Sequence, residues 1–453
     1  MSDEVPLTEF SDAEASQSTE YVDTPVGELP ADWDIEWLDD VCSINPDGFS
    51  KDEWPSDTFD YVSLSDVSGG TILQSNSTPV DDAPSRAQRQ IQQGDVLVGT
   101  VRPKQVSHGL VTEEYDGDIC SSGFGVLRPG ARVNAHYLMQ EVLSHRFFRQ
   151  MEAYVAGSGY PAVKHSDLRK HRVALPSLTE QRKIASVLYT VDQLIQKTED
   201  VIEHANRIKT GVTQDVFENG TKDHTGKQEA KSGVYPAAWE LVRFEDLITN
   251  TRYGTDTKSN TDGDGYPTLR IPNVVDKRLT LDDLKYTPVD DTELDRLRLE
   301  EDDLLIVRTN GNPEYVGQCI TFPGFDDDYV YASYLIRLRV DETRVLPAYI
   351  REFLNSERGR AEMRGWIRSS AGNYNLSVGA LEKFKIPVPS LEEQAEMVDH
   401  IESVDHIAEE NRHYRGQLQR FKRGLMQDLL SGEVRTTGKG IDIPDEVKNY
   451  ESE

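Results

Sequence analysis

Basic residues are scarce in this 453-residue chain: 49 Lys and Arg stand against 80 Asp and Glu, a formal charge of −31. Taken alone, that balance argues against a nucleic-acid partner, because binding to phosphates depends on cations that displace condensed counterions. The acid is spread along the whole chain, however, as in proteins of organisms that keep molar salt in their cytoplasm. At about 1 M salt the Debye length is only about 3 Å, so local contacts rather than net charge decide partners. Cysteine is scarce too. Cys42, Cys120 and Cys319 are isolated singles, with neither metal-ligand spacing nor a disulfide framework, which suits a reducing cytoplasm. No run of about 18 apolar residues is present, so nothing should span a membrane. The opening Met1-Ser2-Asp3-Glu4 lacks the basic and then apolar stretch of a signal peptide.

Catalytic constellations are absent as well. The ten histidines form no His-x-x-x-His pair with a third ligand, so no metal site is expected. There is no glycine fingerprint for a nucleotide or methyl donor after a strand, and no Ser-His-Asp set can be argued from spacing. Asp262-Gly263-Asp264-Gly265 looks like a calcium loop but lacks the distal bidentate Glu; a tight turn explains it.

What the chain does have is a duplication. Pro176-Ser177-Leu178-Thr179-Glu180-Gln181 matches Pro389-Ser390-Leu391-Glu392-Glu393-Gln394, an offset of 394 − 181 = 213 residues, and Val191-Asp192 and Gln214-Asp215 recur at the same offset. Each copy opens on a proline that stops a strand and a step that starts a helix. Each then runs about 40 residues without proline, enough for a helix roughly 60 Å long. Apolar residues at Ile184, Leu188, Val191, Ile195, Ile202, Ala205, Val212 and Val216, and at Met397, Ile401, Val404, Ile407, Tyr414, Leu418, Phe421, Leu425 and Leu429, follow 3-4 spacing. The bland reading of one such stripe is packing on a local core. Two of the same phase predict that the helices pair, antiparallel because a duplicated unit packed about a pseudo-twofold axis reverses one copy. Thr198, Lys209, Asn411 and Arg415 would be polar seam positions setting register.

The repeat extends upstream. Tyr61-Val62-Ser63-Leu64 parallels Tyr266-Pro267-Thr268-Leu269, Gly94-Asp95-Val96-Leu97-Val98 parallels Asp302-Asp303-Leu304-Leu305-Ile306, and Leu127-Arg128 parallels Leu338-Arg339. Short β-branched runs at 95–101, 106–112, 124–128, 304–308, 316–322 and 334–340 read as strands. Asn134 to Tyr154 and Leu346 to Arg368 read as amphipathic helices. The expected class is α+β: two tandem globular α/β units, each followed by a long helix, the helices forming an antiparallel coiled coil. The expected boundaries are a disordered acidic tail at 1–27, globular units at 28–175 and 235–388, spacer helices at 176–218 and 389–432, a linker at 219–234, and an acidic tail at 433–453.

With the closing string Lys422-Arg423-Gly424-Leu425-Met426-Gln427-Asp428-Leu429-Leu430-Ser431-Gly432, this pattern resembles the specificity subunit of type I restriction-modification systems, over roughly residues 28 to 435. The first copy is degenerate (Lys209-Thr210-Gly211-Val212-Thr213-Gln214-Asp215-Val216-Phe217) but keeps the Lys, Gly and Gln-Asp positions. The resemblance implies that each globular unit is a target recognition domain reading one half of a split site on double-stranded DNA. It implies that the helices act as a ruler and dock two methyltransferase subunits, which restriction and translocase subunits join. It further implies that this chain is a non-catalytic cytoplasmic subunit holding no cofactor, with S-adenosylmethionine, ATP and Mg on the partners. Half-sites read from one face lie about 34–36 Å apart, and lengthening either helix should lengthen the gap.

If the units read bases, their loops must offer donors, acceptors and aromatic groups. Candidates in the first unit are Arg86 and Arg89 before a strand, then Arg102, Lys104, Gln105, Ser107 and His108 after it, then Ser158, Tyr160 and Lys164 in a glycine-punctuated turn. In the second they are Arg252, Tyr253, Lys258, Arg270, Arg308, Thr309, Asn310, Asn312, Arg368, Asn373, Tyr374 and Asn375. For any one residue a solvated loop is the simpler account; equivalent loops rich in the same chemistry, in an acidic chain, favour DNA. Asn312-Pro313-Glu314-Tyr315 looks like the Asn-Pro-Pro-Tyr stretch of amino-group methyltransferases, but Glu replaces the second proline and no donor site precedes it. A coiled-coil docking protein that binds no DNA is the alternative that the residues leave open.

Overall fold

The computed structural model describes residues 20–155, 161–370 and 372–448. The chain divides into two compact units, residues 1–198 with 414–453 and residues 199–413. The divisions fall inside the two long helices, Leu178–Asn219 and Leu391–Leu430, so each unit owns a globular body and half of each helix.

In the first unit, a six-stranded sheet runs in the order Cys42–Ile44, Phe124–Pro129, Val96–Gly99, His108–Leu110, Gly70–Ile72, Val67–Ser68, and a four-stranded sheet joins Asn76–Pro79, Thr58–Val62, Ile119–Ser121 and Ala87–Gln90. In the second unit, a four-stranded sheet orders Ile248–Tyr253, Leu335–Val340, Leu304–Val307 and Cys319–Thr321. The centres correspond. Val96 pairs with Leu127 and Leu304 with Leu338, both antiparallel. The parallel Asp95/Asp303 and Arg128/Arg339 positions explain themselves here. Each strand-leading Asp is buried and receives a forked guanidinium from the next strand, Arg128 Nε and Nη2 at 2.8 Å on Asp95 and Arg339 Nε and Nη2 on Asp303. Burying a carboxylate is costly unless it is paired this way.

The segments read as single amphipathic helices are each two. Ala135–Leu143 is followed by His145–Tyr154, and Pro347–Asn355 by Glu357–Arg364. Ser144 and Ser356 interrupt them in extended conformation, and each hydroxyl accepts the N–H of a following residue, Phe147 or Gly359. A serine that can cap the next turn competes with continuing the last one.

The Pro-Ser-Leu-x-Glu-Gln motif acquires a physical role for each polar residue. Ser177 and Ser390 cap their helices by accepting Glu180 N and Glu393 N, both at 3.3 Å. The buried Gln181 carboxamide accepts Asn134 N at 2.9 Å and donates to Arg132 O and Pro176 O. Gln394 repeats the pattern with Leu346 N, Arg344 O and Pro389 O. The glutamine thus ties the long helix to the start of the amphipathic helix. The glutamate is buried too, and needs donors from elsewhere. Arg435 supplies them to Glu180, at 2.9 and 3.0 Å. His224, Trp239 Nε1 and Thr221 N supply them to Glu393.

The structure corrects three sequence expectations. Residues 219–234 are not an open linker but carry a hairpin, Lys227–Ala230 with Gly233–Pro236. Residues 20–27, assigned to the disordered tail, form the matching hairpin, Tyr21–Thr24 with Gly27–Pro30; residues 1–19 lie outside the described ones. Gly27 and Gly233 both turn at positive φ, 115° and 141°, which only glycine adopts freely. The C-terminal tail packs as far as residue 448: Val447 is fully buried, its carbonyl accepting from Asn134 Nδ2 at 2.8 Å. In each unit the segment after a long helix folds back to satisfy a carboxylate at the start of the other.

Within each unit the halves of the helices run antiparallel in contact. In the first, Lys422 pairs with Asp192 at 2.6 Å, and Leu429 and Leu430 share a core with Ile184, Ala185 and Leu188. In the second, Lys209 pairs with Asp405 at 2.7 Å, and Met397, Val398 and Ile401 share a core with Val216 and Phe217. The seam differs from expectation on the second helix. Ile407, Tyr414 and Phe421 are exposed, and Ala408 is buried. Of the polar seam positions, Lys209 crosses to the partner helix, while Thr198 and Asn411 bond to carbonyls four residues back in their own helices.

Candidate nucleic-acid interface

In the second unit the two polar loops singled out by sequence are strands of one small sheet. Thr309 pairs with Asn375 and Asn310 with Tyr374, while Arg368 and Ser369 pair with Asn375 and Tyr374 from the other edge. Leu376 N donates to Arg308 O at 2.8 Å, closing the join. Arg308 stacks 4.5 Å from the Tyr253 ring centroid, and the Tyr253 hydroxyl accepts Val378 N. That stacking holds a cation in place without neutralising it. The Asn310 and Asn312 side-chain oxygens accept Asn312 N and Glu314 N, stiffening the turn; their NH₂ groups have no partner among the described residues. Asn373 and Asn375 likewise make no side-chain hydrogen bond among the described residues, and Tyr374 is half-buried against the core. The surface is therefore a row of amides and cations held by backbone pairing.

The first unit repeats the join. Val101 bridges to Ala162, Arg102 N donates to Pro161 O, and Val163 N donates to Thr100 O. Arg102 and Val106 flank a short turn at φ 48° and 51°, left-handed values that a β-branched valine adopts only at a cost of about 1–3 kcal/mol. Strain held in this way re-aims the intervening side chains: Lys104 and Gln105 are exposed, and Lys104 approaches Glu152 only to 3.8 Å. Ser107 is half-buried and Lys164 exposed. Ser158 and Tyr160 lie outside the described residues.

Three candidates sit elsewhere. His108 is buried, its Nδ1 accepting Gly99 N at 3.0 Å, and burial depresses its pKa to about 4. It belongs to the sheet rather than the surface: its strand, His108–Leu110, lies inside the six-stranded sheet and is buried at all three positions. Arg89 reaches the carbonyl of Phe124 and the ring of His165, bracing the strand instead of facing solvent. Arg270 is tied to Asp283 through its carbonyl at 2.6 Å and carboxylate at 3.2 Å. Arg86 and Lys258 are exposed and Arg252 is half-buried. Asp262-Gly263-Asp264-Gly265 is the expected tight turn, with Asn260 Oδ1 accepting the N–H of Asp262 and Asp264. Among the described residues no cluster of His, Cys, Asp or Glu could hold a metal, and no helix is long and apolar enough to cross a membrane.

A cavity of about 1440 Å³ opens in the second unit, reaching the 308–312 loop at Glu314 and lined among others by Lys209, Lys277, Arg351, Glu352 and Asp405. Its charges are largely spent on one another, as in Lys209–Asp405 and Arg351–Glu352, so the loop pair stays the candidate interface. Sequence reading missed Lys231, Trp366 and Lys383, which the fold gathers beside Arg368. No local pattern could have signalled them, since they come from three separate segments.

The family model for the type I restriction modification DNA specificity domain matches residues 30–204 and 236–418. The chain is similar to the type I restriction enzyme EcoKI specificity subunit of Escherichia coli, with 24% identity over 435 residues, 90% of this chain and 94% of that one. It is similar to the MjaVIII specificity subunit of Methanocaldococcus jannaschii, with 24% identity over 63% of this chain and 67% of that one. The fold is that of the type I restriction-modification S subunit from M. genitalium, with a TM-score of 0.53 and 13% identity over 92% of this chain and 98% of that one.

Proposed function

The chain belongs to the family of type I restriction-modification DNA specificity domains, and from that premise we propose that it reads a two-part DNA sequence while partner subunits perform the chemistry. The observation that carries this reading is the repeated join of two polar loops, 100–102 with 161–163 and 308–310 with 373–376. An asparagine amide matches the N6 and N7 edge of adenine, and an arginine fork matches O6 and N7 of guanine, each good pair contributing about 1–3 kcal/mol of discrimination. Asn310, Asn312, Asn373 and Asn375 supply the first chemistry, and Arg308 and Arg368 the second.

Partner docking is supported by the long helices. Leu194, Val201 and Ile208 on one, and Ile407, Tyr414 and Phe421 on the other, are all exposed, Ile208 and Phe421 to 57%. Within each trio the residues are seven apart, so they share a helix face, and the trios coincide at the repeat offset of 421 − 208 = 213. Exposed apolar stripes of this kind mark interaction surfaces. Two equivalent stripes suit two copies of one partner, the methyltransferase subunit, with restriction and translocase subunits joining that assembly in the cytoplasm. S-adenosylmethionine, ATP and Mg would then be bound by those subunits. Mapping methylated bases in cells with and without this gene tests the reading. Loss of a split methylated motif is expected; an unchanged methylome refutes it.

A further inference from the structure

Two lysines from distant segments converge on one tryptophan. Lys231 Nζ lies 5.6 Å and Lys383 Nζ 5.4 Å from the Trp366 ring centroid. Lys231 sits in the turn of the 227–236 hairpin, and Lys383 follows the short helix Val378–Leu381. Arg368 Nη1 donates to Gly365 O at 3.4 Å, and a Cβ on Gly365 would meet Lys231 Nζ at 2.8 Å. With Arg364 adjacent in sequence, four exposed cations surround Gly365 and Trp366.

None of the four makes an ion pair among the described residues. Other arginines of this unit do: Arg243 with Glu245, Arg298 with Asp328, Arg358 with Glu218. In a chain of charge −31, four cations gathered at one place without an ion-pair partner among the described residues make a local positive patch. Four uncompensated cations repel one another, and a polyanion relieves that repulsion. The first unit has the same stack, with Lys170 Nζ 5.6 Å from the Tyr154 ring, two residues after the helix His165–Leu168. There, however, Asp167 neutralises the lysine at 2.7 Å; three residues before Lys383 the second unit has Ala380 instead. The open charge is specific to the second unit. It also adjoins the polar sheet, because Arg368 begins the strand that pairs with Asn373–Asn375.

We propose that Lys231 and Lys383, stacked on Trp366 beside Arg364 and Arg368, grip the DNA phosphate backbone and set the register of the adjoining base-reading sheet. The proposal rests on the reading of this chain as a DNA specificity subunit. Phosphate contacts position without selecting sequence, and each one adds about 0.9 to the magnitude of the slope of log affinity against log salt.

The test uses the complex isolated through a tag on the full chain, with a duplex carrying the mapped motif and a scrambled duplex of equal length. In a Lys231→Ala/Lys383→Ala variant the slope should fall by about 1.8 on both duplexes, so the variant loses about tenfold less affinity than wild type between 50 and 200 mM salt. Lys197→Ala, an exposed lysine of the long helix, controls for net charge and should leave the slope unchanged. Wild-type binding with an unaltered slope in the double variant overturns the phosphate grip, leaves the DNA reading intact, and turns attention to an acidic protein as occupant. Wild type that binds neither duplex overturns both.

Discussion

Replacing Arg435 with alanine should unfold the first unit early, and the structure indicates by how much. The Arg435 guanidinium bonds both oxygens of Glu180, at 2.9 and 3.0 Å, and both oxygens of Asp32, at 2.9 and 2.6 Å. It also lies 5.9 Å from the Trp33 ring. Glu180 is the decisive partner because its side chain is only 2% exposed, whereas that of Asp32 is 62% exposed. Removing one member of a buried pair strands the other, at a cost of about 3–5 kcal/mol. Arg435 is itself partly solvated, so the lower part of that range, about 3–4 kcal/mol, is expected. For a unit of this size each kcal/mol moves the midpoint about 2–4 °C, giving a drop of roughly 6–16 °C. A chain with two compact units need not unfold in one step. The assay is therefore hydrogen exchange read by mass spectrometry, where peptides from 432–448 and from the 21–30 hairpin should lose protection while those from 240–388 keep it. Adding Glu180→Gln removes the stranded charge and should restore about half the loss. The pH dependence follows in sign. Arg435 holds the Asp32 carboxyl below its ordinary value, so that contribution is present above about pH 3.9, the unfolded value, and is lost as pH falls through the lower folded one. The variant should lack that acid step. A midpoint within about 2 °C of wild type, with no recovery from Glu180→Gln, refutes the reasoning.

Other outcomes are equally specific. His108 and His136 are both buried, with burial depressing their pKa values to about 4; the native state excludes protons that the unfolded chain takes up below about 6.5. Their contribution, about 3 kcal/mol each, is present above pH 6.5 and lost as pH falls toward 4; imidazole NMR signals that titrate near 6.5 in the folded protein refute it. Ile208→Glu with Phe421→Glu should abolish co-purification of the methyltransferase subunit while leaving far-UV circular dichroism and the melting midpoint unchanged; retained co-purification sinks the docking stripe. Inserting seven residues at equivalent points of both long helices lengthens each by about 10 Å while keeping the same faces aligned. The gap in the methylated motif should widen by about three base pairs, at 3.4 Å each, and an unchanged gap removes the helices as the ruler.

Much of the fold was legible because its signals are local. The strands at 95–101, 124–128 and 334–340 and both long helices declare themselves through periodicity and flanking residues, and the duplication predicts a second copy of each. The hairpins at 21–30 and 227–236 read as tail and linker because their sequences are polar and short; the first is held by the Tyr21 hydroxyl donating to Gly432 O and by the buried Leu29, and the second is flanked by Thr221, His224 and Trp239, which donate to Glu393 far away in sequence. His108 looked like a surface donor because loop composition cannot say which way a strand residue turns.

Sequence alone determined that there are two copies of one unit, where each long helix begins, and which loops concentrate amides and cations in an acidic chain. Those properties live in spacing and composition, which the chain carries before it folds. Only the tertiary structure decided that Arg435 neutralises Glu180, that Ala408 rather than Ile407 is buried in the helix seam, and that Lys231 and Lys383 meet on Trp366. Each of those depends on which groups lose water together, and burial is a property of the packed molecule, not of any segment within it.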